Sequence, residues 1–160
     1  MSQTRIPVNF WVLCSLVLGL LMEIYPWSVF DYSWQPQWLL LVVVFWVLCR
    51  PSEYGVVLGF FAGLLLDIVL GGVMGRYALG ICLSVYLLKA VQKRFHYATV
   101  LHQLALVFVL AVVNSLVTGA IDMWVLDVTA SGRSVFLPAL LTACLWPLVQ
   151  LPMRRVVSEE

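Results

Sequence analysis

Apolar residues gather into six stretches, at about 7–25, 36–50, 55–71, 77–92, 99–126 and 135–153, separated by short segments rich in proline, glycine and charge. A bilayer-spanning helix needs ~20 mainly apolar residues, with a working range of ~17–25, so the pattern predicts helices in lipid. The first stretch closes at Pro26; the second carries Pro36 near its first turn and Pro51 just past its end, an order that helices favour. At ~1.5 Å per residue positions 36–50 reach only ~22 Å, short of the ~30 Å hydrocarbon core. Stretches three and four are joined by Gly72-Val73-Met74-Gly75-Arg76, room only for a tight reversal. The fifth is long enough to tilt or to project, and the sixth holds Pro147, where a kink is expected.

Composition turns a helical reading into a membrane one. Apolar residues are 63% of 160 and charged residues 11%, against ~45–50% and ~25% in soluble domains; the excess has to face lipid. No linker or low-complexity tract divides the chain, so we expect an all-α membrane protein, one integral domain over residues 1–160, built as a compact bundle of about six transmembrane helices. Phe10 to Leu21 resembles a signal-peptide core, but Glu23, Tyr25, Pro26 and Trp27 stand where a small-residue cleavage site would be, so the segment should be retained.

A net charge of +1 sets up no field for nucleic acid, but the placement of charge is informative. With the N-terminus inside, Arg5, Arg50, Lys89, Lys93, Arg94, Arg154 and Arg155 fall on the inner side, and only Arg76 and Arg133 fall outside. Positive charge marks cytoplasmic loops, which predicts both termini in the cytoplasm. Aromatic residues fit belts at the two interfaces, with Trp27, Trp34, Trp38, Tyr77 and Trp124 at outer ends and Trp11, Trp46, Tyr54 and Tyr97 at inner ones. Cys14, Cys49, Cys82 and Cys144 lie far apart in apolar runs and read as buried, inert thiols.

Gly55, Gly59, Gly63, Asp67 and Gly71 repeat every four residues, which puts small residues along one narrow helix face. Such a face lets another backbone come close: either a helix of the same bundle or the transmembrane helix of a partner. Asp67 lies inside an apolar run, where a charge costs at least ~2.5–3.5 kcal/mol near mid-membrane. Glu23, Asp67 and Asp122 all fall toward outer ends of outward-running helices, on the side of Arg76 and Arg133. We therefore expect a polar cluster of Glu23, Asp67, Arg76 and Asp122, with Arg76 as the partner of Asp67, while Glu23 and Asp122 also suit the headgroup region. Asn114, Ser115, Thr118, Gly119 and Asp122 form a polar, small stripe suited to facing other helices. Lys93 and Arg94, flanked by His96 and His102, make a basic inner loop that sets topology and attracts anionic lipid. No phosphate loop, nucleophile elbow, metalloprotease helix or zinc spacing occurs, and nothing points to a cofactor or a metal.

Pro36-Gln37-Trp38-Leu39-Leu40 leading to Phe45-Trp46-Val47-Leu48, then Pro51, Gly55, Gly59-Phe60-Phe61-Ala62-Gly63-Leu64, Leu66-Asp67, Gly71, Gly75 and Ala78-Leu79, resembles the MreD family of rod shape-determining proteins. Leu145-Trp146-Pro147 and Met153-Arg154 are similar as well, so the likeness runs over nearly the whole chain. It implies a non-enzymatic scaffold or regulator of cell elongation in the bacterial inner membrane. Its partners would be MreC, bound through that protein's transmembrane helix, with MreB, RodA and a class B penicillin-binding transpeptidase in the same machinery. The family is also similar to the substrate-binding S-components of energy-coupling-factor transporters. That similarity implies an alternative, a small-molecule-binding subunit with an outer pocket lined by Asp67, Arg76 and Asp122.

Overall fold

A computed structural model of the protein describes residues 8–25, 35–92, 100–125 and 135–158, with side chains described at 10–25, 35–92, 101–125 and 135–150. It contains six helices: α1 (Val8–Ile24), α2 (Trp38–Cys49), α3 (Val56–Leu70), α4 (Arg76–Gln92), α5 (Val100–Val125) and α6 (Phe136–Ser158). No strand occurs among the described residues. Prolines and glycines set the ends much as the sequence predicts. Helix α2 starts two residues after Pro36 and stops short of Pro51. Helix α3 ends on Gly71, whose left-handed φ of +62° turns its N–H back to the Asp67 carbonyl at 3.2 Å. Glycine adopts that conformation without the clash a Cβ would bring.

Helix α2 touches each of the other five. Around it α1 neighbours α3, α3 neighbours α4, α4 neighbours α5 and α5 neighbours α6, but α1 and α6 do not meet among the described residues. The bundle is therefore an open ring about a central helix. Every residue from Leu39 to Val47 is buried, as expected of a helix that is apolar all round. This also accounts for its length. Twelve residues rise only ~18 Å, which suffices for a helix enclosed by protein and solvated by its neighbours.

The outer faces are apolar: Leu13, Val17 and Leu21 of α1, Phe61, Leu65 and Ile68 of α3, and Leu140 and Leu148 of α6 are exposed. Within α5, Leu101–Val125 is long and apolar enough to cross a membrane by itself, whereas the apolar parts of α1, α2, α3 and α6 are shorter. Three expectations need correction. Trp46 does not join an interfacial belt; it is buried, and its Nε1 donates to Ser15 Oγ at 2.7 Å. Cys14, Cys49 and Cys144 are exposed and Cys82 is half-buried, because an apolar run does not reveal which of its faces meets the core. Finally, α6 passes through Pro147 and continues to Ser158, beyond the expected end near 153.

Candidate functional site: charged clasps, a buried amide network and a lateral groove

The glycine stripe of α3 is covered by α4. A Cβ on Gly63 would lie 2.5 Å from the Ala78 Cα and 2.8 Å from the Tyr77 carbonyl oxygen, so two backbones meet where no side chain fits. At Gly59 the neighbours are the tips of Val85 and Ile81, at 3.1 and 3.3 Å. At Gly55 the Lys89 side chain crosses the open face. The stripe is thus occupied from within the bundle, and Gly71 acts separately, as the left-handed cap.

This close approach puts Asp67 over the first turn of α4. Its carboxylate accepts three backbone N–H groups, from Gly75 at 3.0 Å, Tyr77 at 2.9 Å and Ala78 at 3.1 Å. The first N–H groups of a helix have no partner within the helix, and a carboxylate there is favoured both by hydrogen bonding and by the helix dipole. A buried charge is solvated without a cation. Arg76 points elsewhere, placing its guanidinium 2.8 Å from Asp122 on α5, with 18% and 8% of the two side chains exposed. It also lies over the Tyr77 ring, 4.8 Å from the centroid. The expected Asp67–Arg76 pairing is replaced by a cap and a separate ion pair, since the α4 amides lie within direct reach of Asp67. Glu23 belongs to neither. Its Oε2 accepts the Leu39 N–H at 3.2 Å, and its carbonyl accepts from the Gln35 side chain, so it caps α2.

A further polar centre went unrecognised in the sequence. Gln37, just ahead of α2, donates from Nε2 to Ser115 Oγ at 2.7 Å and to the Ala111 carbonyl at 3.2 Å; its Oε1 accepts from Asn114 Nδ2 at 3.0 Å. Its backbone N–H donates to Thr142 Oγ1 of α6 at 3.0 Å. One residue therefore joins the start of α2 to α5 through its side chain and to α6 through its backbone. Asn114 sits against Gly80 of α4, where a Cβ would collide with Oδ1. Ser84 bonds the Gly80 and Leu110 carbonyls at 2.9 and 3.2 Å. The polar stripe on α5 faces other helices, as Asn114, Ser115 and Asp122 show. The available signal was a lone glutamine between Pro36 and an apolar helix, a residue type that is costly there unless it is bonded.

At the end of the bundle where α2 stops, Gln92 donates to the Leu48 carbonyl at 3.4 Å, and an exposed Arg50–Glu53 pair lies at 3.3 Å. Burial pushes the nearby Tyr54 hydroxyl above its ordinary pKa; Glu53 adds to the rise and Arg50 opposes it. Lys93 and Arg94 lie outside the described residues, as do His96 and Arg133. The described residues contain no group of three or more side chains able to hold a metal.

Where α1 and α6 fail to meet, a groove of about 430 Å³ opens onto α2. Its walls include Cys14, Leu18 and Met22 of α1, Trp38 and Val42 of α2, and Leu148 of α6. Ser15 also lines it, but its hydroxyl is already engaged by Trp46 and by the Val12 carbonyl at 2.9 Å.

Fold and site together describe a helical membrane bundle whose charged and amide groups join one helix to the next. The family model described as rod shape-determining protein MreD matches residues 4–156, and the chain belongs to that family, which places it in rod-shape determination at the membrane. A protein from Haemophilus influenzae called rod shape-determining protein MreD is 28% identical over 155 residues, covering 96% of this chain and 95% of that one. No solved structure matches the chain.

Proposed function

We propose that this protein is a non-enzymatic, multi-pass scaffold of the cell-elongation machinery, with six spans, cytoplasmic termini, and a role in binding MreC and positioning peptidoglycan-synthesis enzymes. The observation that carries the reading is the use made of the polar groups. Glu23 and Asp67 cap helices, Arg76 pairs with Asp122, and Gln37 bridges three helices. None of these serves an open polar pocket, while the outer faces are apolar and suited to packing against helices in lipid. The small-molecule alternative needs Asp67, Arg76 and Asp122 to line an outer pocket, and the engagement of Asp67 by backbone N–H groups and of Arg76 by Asp122 speaks against it. Family membership supports the rod-shape context.

The test is co-purification of MreC from membranes with the tagged protein, beside complementation of cell shape in a strain lacking the gene. Recovery of MreC together with restored rods supports the scaffold; normal rods without the protein, coupled to loss of uptake of one nutrient, would favour the transporter subunit. Thiol labelling of single cysteines placed in the loops reads the six-span topology directly.

A further inference from the structure

The first four helices contain one unit twice. Gly19-Leu20-Leu21-Met22-Glu23-Ile24 of α1 matches Gly63-Leu64-Leu65-Leu66-Asp67-Ile68 of α3, and Gln37-Trp38-Leu39-Leu40 at the head of α2 matches Arg76-Tyr77-Ala78-Leu79 at the head of α4. Short apolar strings recur by chance in membrane proteins, but here the contacts recur in the same register. A Cβ on Gly19 would meet the Leu39 Cα and the Trp38 carbonyl oxygen at 3.6 and 3.7 Å, and one on Gly63 meets the same two atoms of Ala78 and Tyr77. Four residues on, Glu23 accepts the Leu39 N–H as Asp67 accepts the Ala78 N–H. Four residues back, Ser15 bonds Trp46 as Gly59 packs on Val85. Even the residue ahead of each cap plays one part, since Gln37 and Arg76 both reach polar side chains of α5. The third hairpin departs from the pattern, its Asp122 pairing with Arg76.

The two units differ in what covers them. In α3, Ala62 and Leu66 are 4% and 1% exposed, and with Ile81 of α4 they belong to one core with α2, which lies against both helices. The matching positions in α1 are Leu18 and Met22, 58% and 40% exposed, and the partner of Ile81 is Val42. These three line the groove beside α6. The face that seats a helix in the second unit is thus open in the first.

We propose that the groove between α1 and α6 is a seat for one apolar transmembrane helix of a partner chain, the counterpart of the seat that α2 fills on α3 and α4. This rests on the scaffold reading, and MreC is the probe. A photo-crosslinking amino acid is placed at Leu18, Met22 or Leu148 in the groove, and at Phe61 or Leu83 on other exposed faces, with MreC co-expressed in intact membranes. Adducts with MreC from the groove and their loss from the control faces are expected. Filling the groove with Leu18→Trp, or independently Leu148→Trp, should lower MreC recovery about tenfold, the effect of ~1.4 kcal/mol, while the variants still elute as folded protein. Adducts from Phe61 or Leu83 alone would overturn the seat and leave the scaffold standing. Groove adducts only to lipid or to a second copy of this chain would also overturn it. Absence of MreC from every adduct and every purification would remove the scaffold reading, and the seat with it.

Discussion

Replacing Arg76 with methionine keeps most of the apolar stem and deletes the charge that faces Asp122 at 2.8 Å. The aspartate, 8% exposed, is then left without its cation, and breaking a buried pair from one side costs ~3–5 kcal/mol. Because Arg76 keeps 18% of its side chain exposed, water softens the loss, and we expect the lower end, ~3 kcal/mol. Asp122→Leu, which leaves the guanidinium without its carboxylate, should cost a similar amount. The double variant Arg76→Met/Asp122→Leu removes both charges and should recover most of the loss, leaving ~1 kcal/mol, since buried pairs replaced by apolar groups are often neutral; the coupling, the double cost less both single costs, is then ~5 kcal/mol in magnitude. Asp67 provides the internal comparison. Its carboxylate is held by the Gly75, Tyr77 and Ala78 N–H groups, so its cycle with Arg76 should show the smaller coupling. Unfolding in mixed micelles, titrated with SDS and followed by tryptophan fluorescence, measures every variant of both cycles. A larger coupling of Arg76 to Asp67 than to Asp122 refutes the assignment.

Asp67→Ala leaves the Gly75, Tyr77 and Ala78 N–H groups without this acceptor and should destabilise by ~2–3 kcal/mol, with Asp67→Asn in between; an unchanged SDS midpoint would remove the cap from the account. Gly63→Ala drives a methyl into the Ala78 backbone, whereas Gly59→Ala meets the Cγ2 methyls of Val85 and Ile81 at 3.1 and 3.3 Å, a shortfall of a few tenths of an ångström, so the first should cost ~2–3 kcal/mol and the second under ~1. Equal thermal midpoints in detergent would contradict that ranking. Gln37→Leu abandons Asn114 and Ser115 and should cost ~2 kcal/mol; Asn114→Leu added to it should cost less than Asn114→Leu alone, and strict additivity in the same titration would show the two are not joined.

Much of the helical layout was legible because its causes are local. Pro26, Pro36, Pro51, Gly55, Gly71 and Gly75 bracket apolar runs, and the observed helices begin and end within a few residues of them. The small-residue spacing on α3 announced close packing but not its partner, since the same face suits a sister helix and a foreign one. Gln37 was passed over because its bonds reach 74 to 105 residues along the chain. The repeat of Gly19–Ile24 in Gly63–Ile68 was open to inspection in the letters, yet its meaning comes from the matched contacts.

The amino-acid order alone determined that the chain folds as apolar helices for lipid, where they break, and that Asp67 must find a partner, because hydrophobic runs, proline, glycine and the cost of an intramembrane charge act through adjacent residues. Tertiary structure decided that Asp67 takes backbone amides, that Arg76 takes Asp122, that the short second helix sits enclosed at the centre, and that a groove stays open beside α6. Those outcomes depend on which faces meet across the bundle, and several pairings satisfy the same list of polar groups until packing brings one set of atoms within hydrogen-bonding distance.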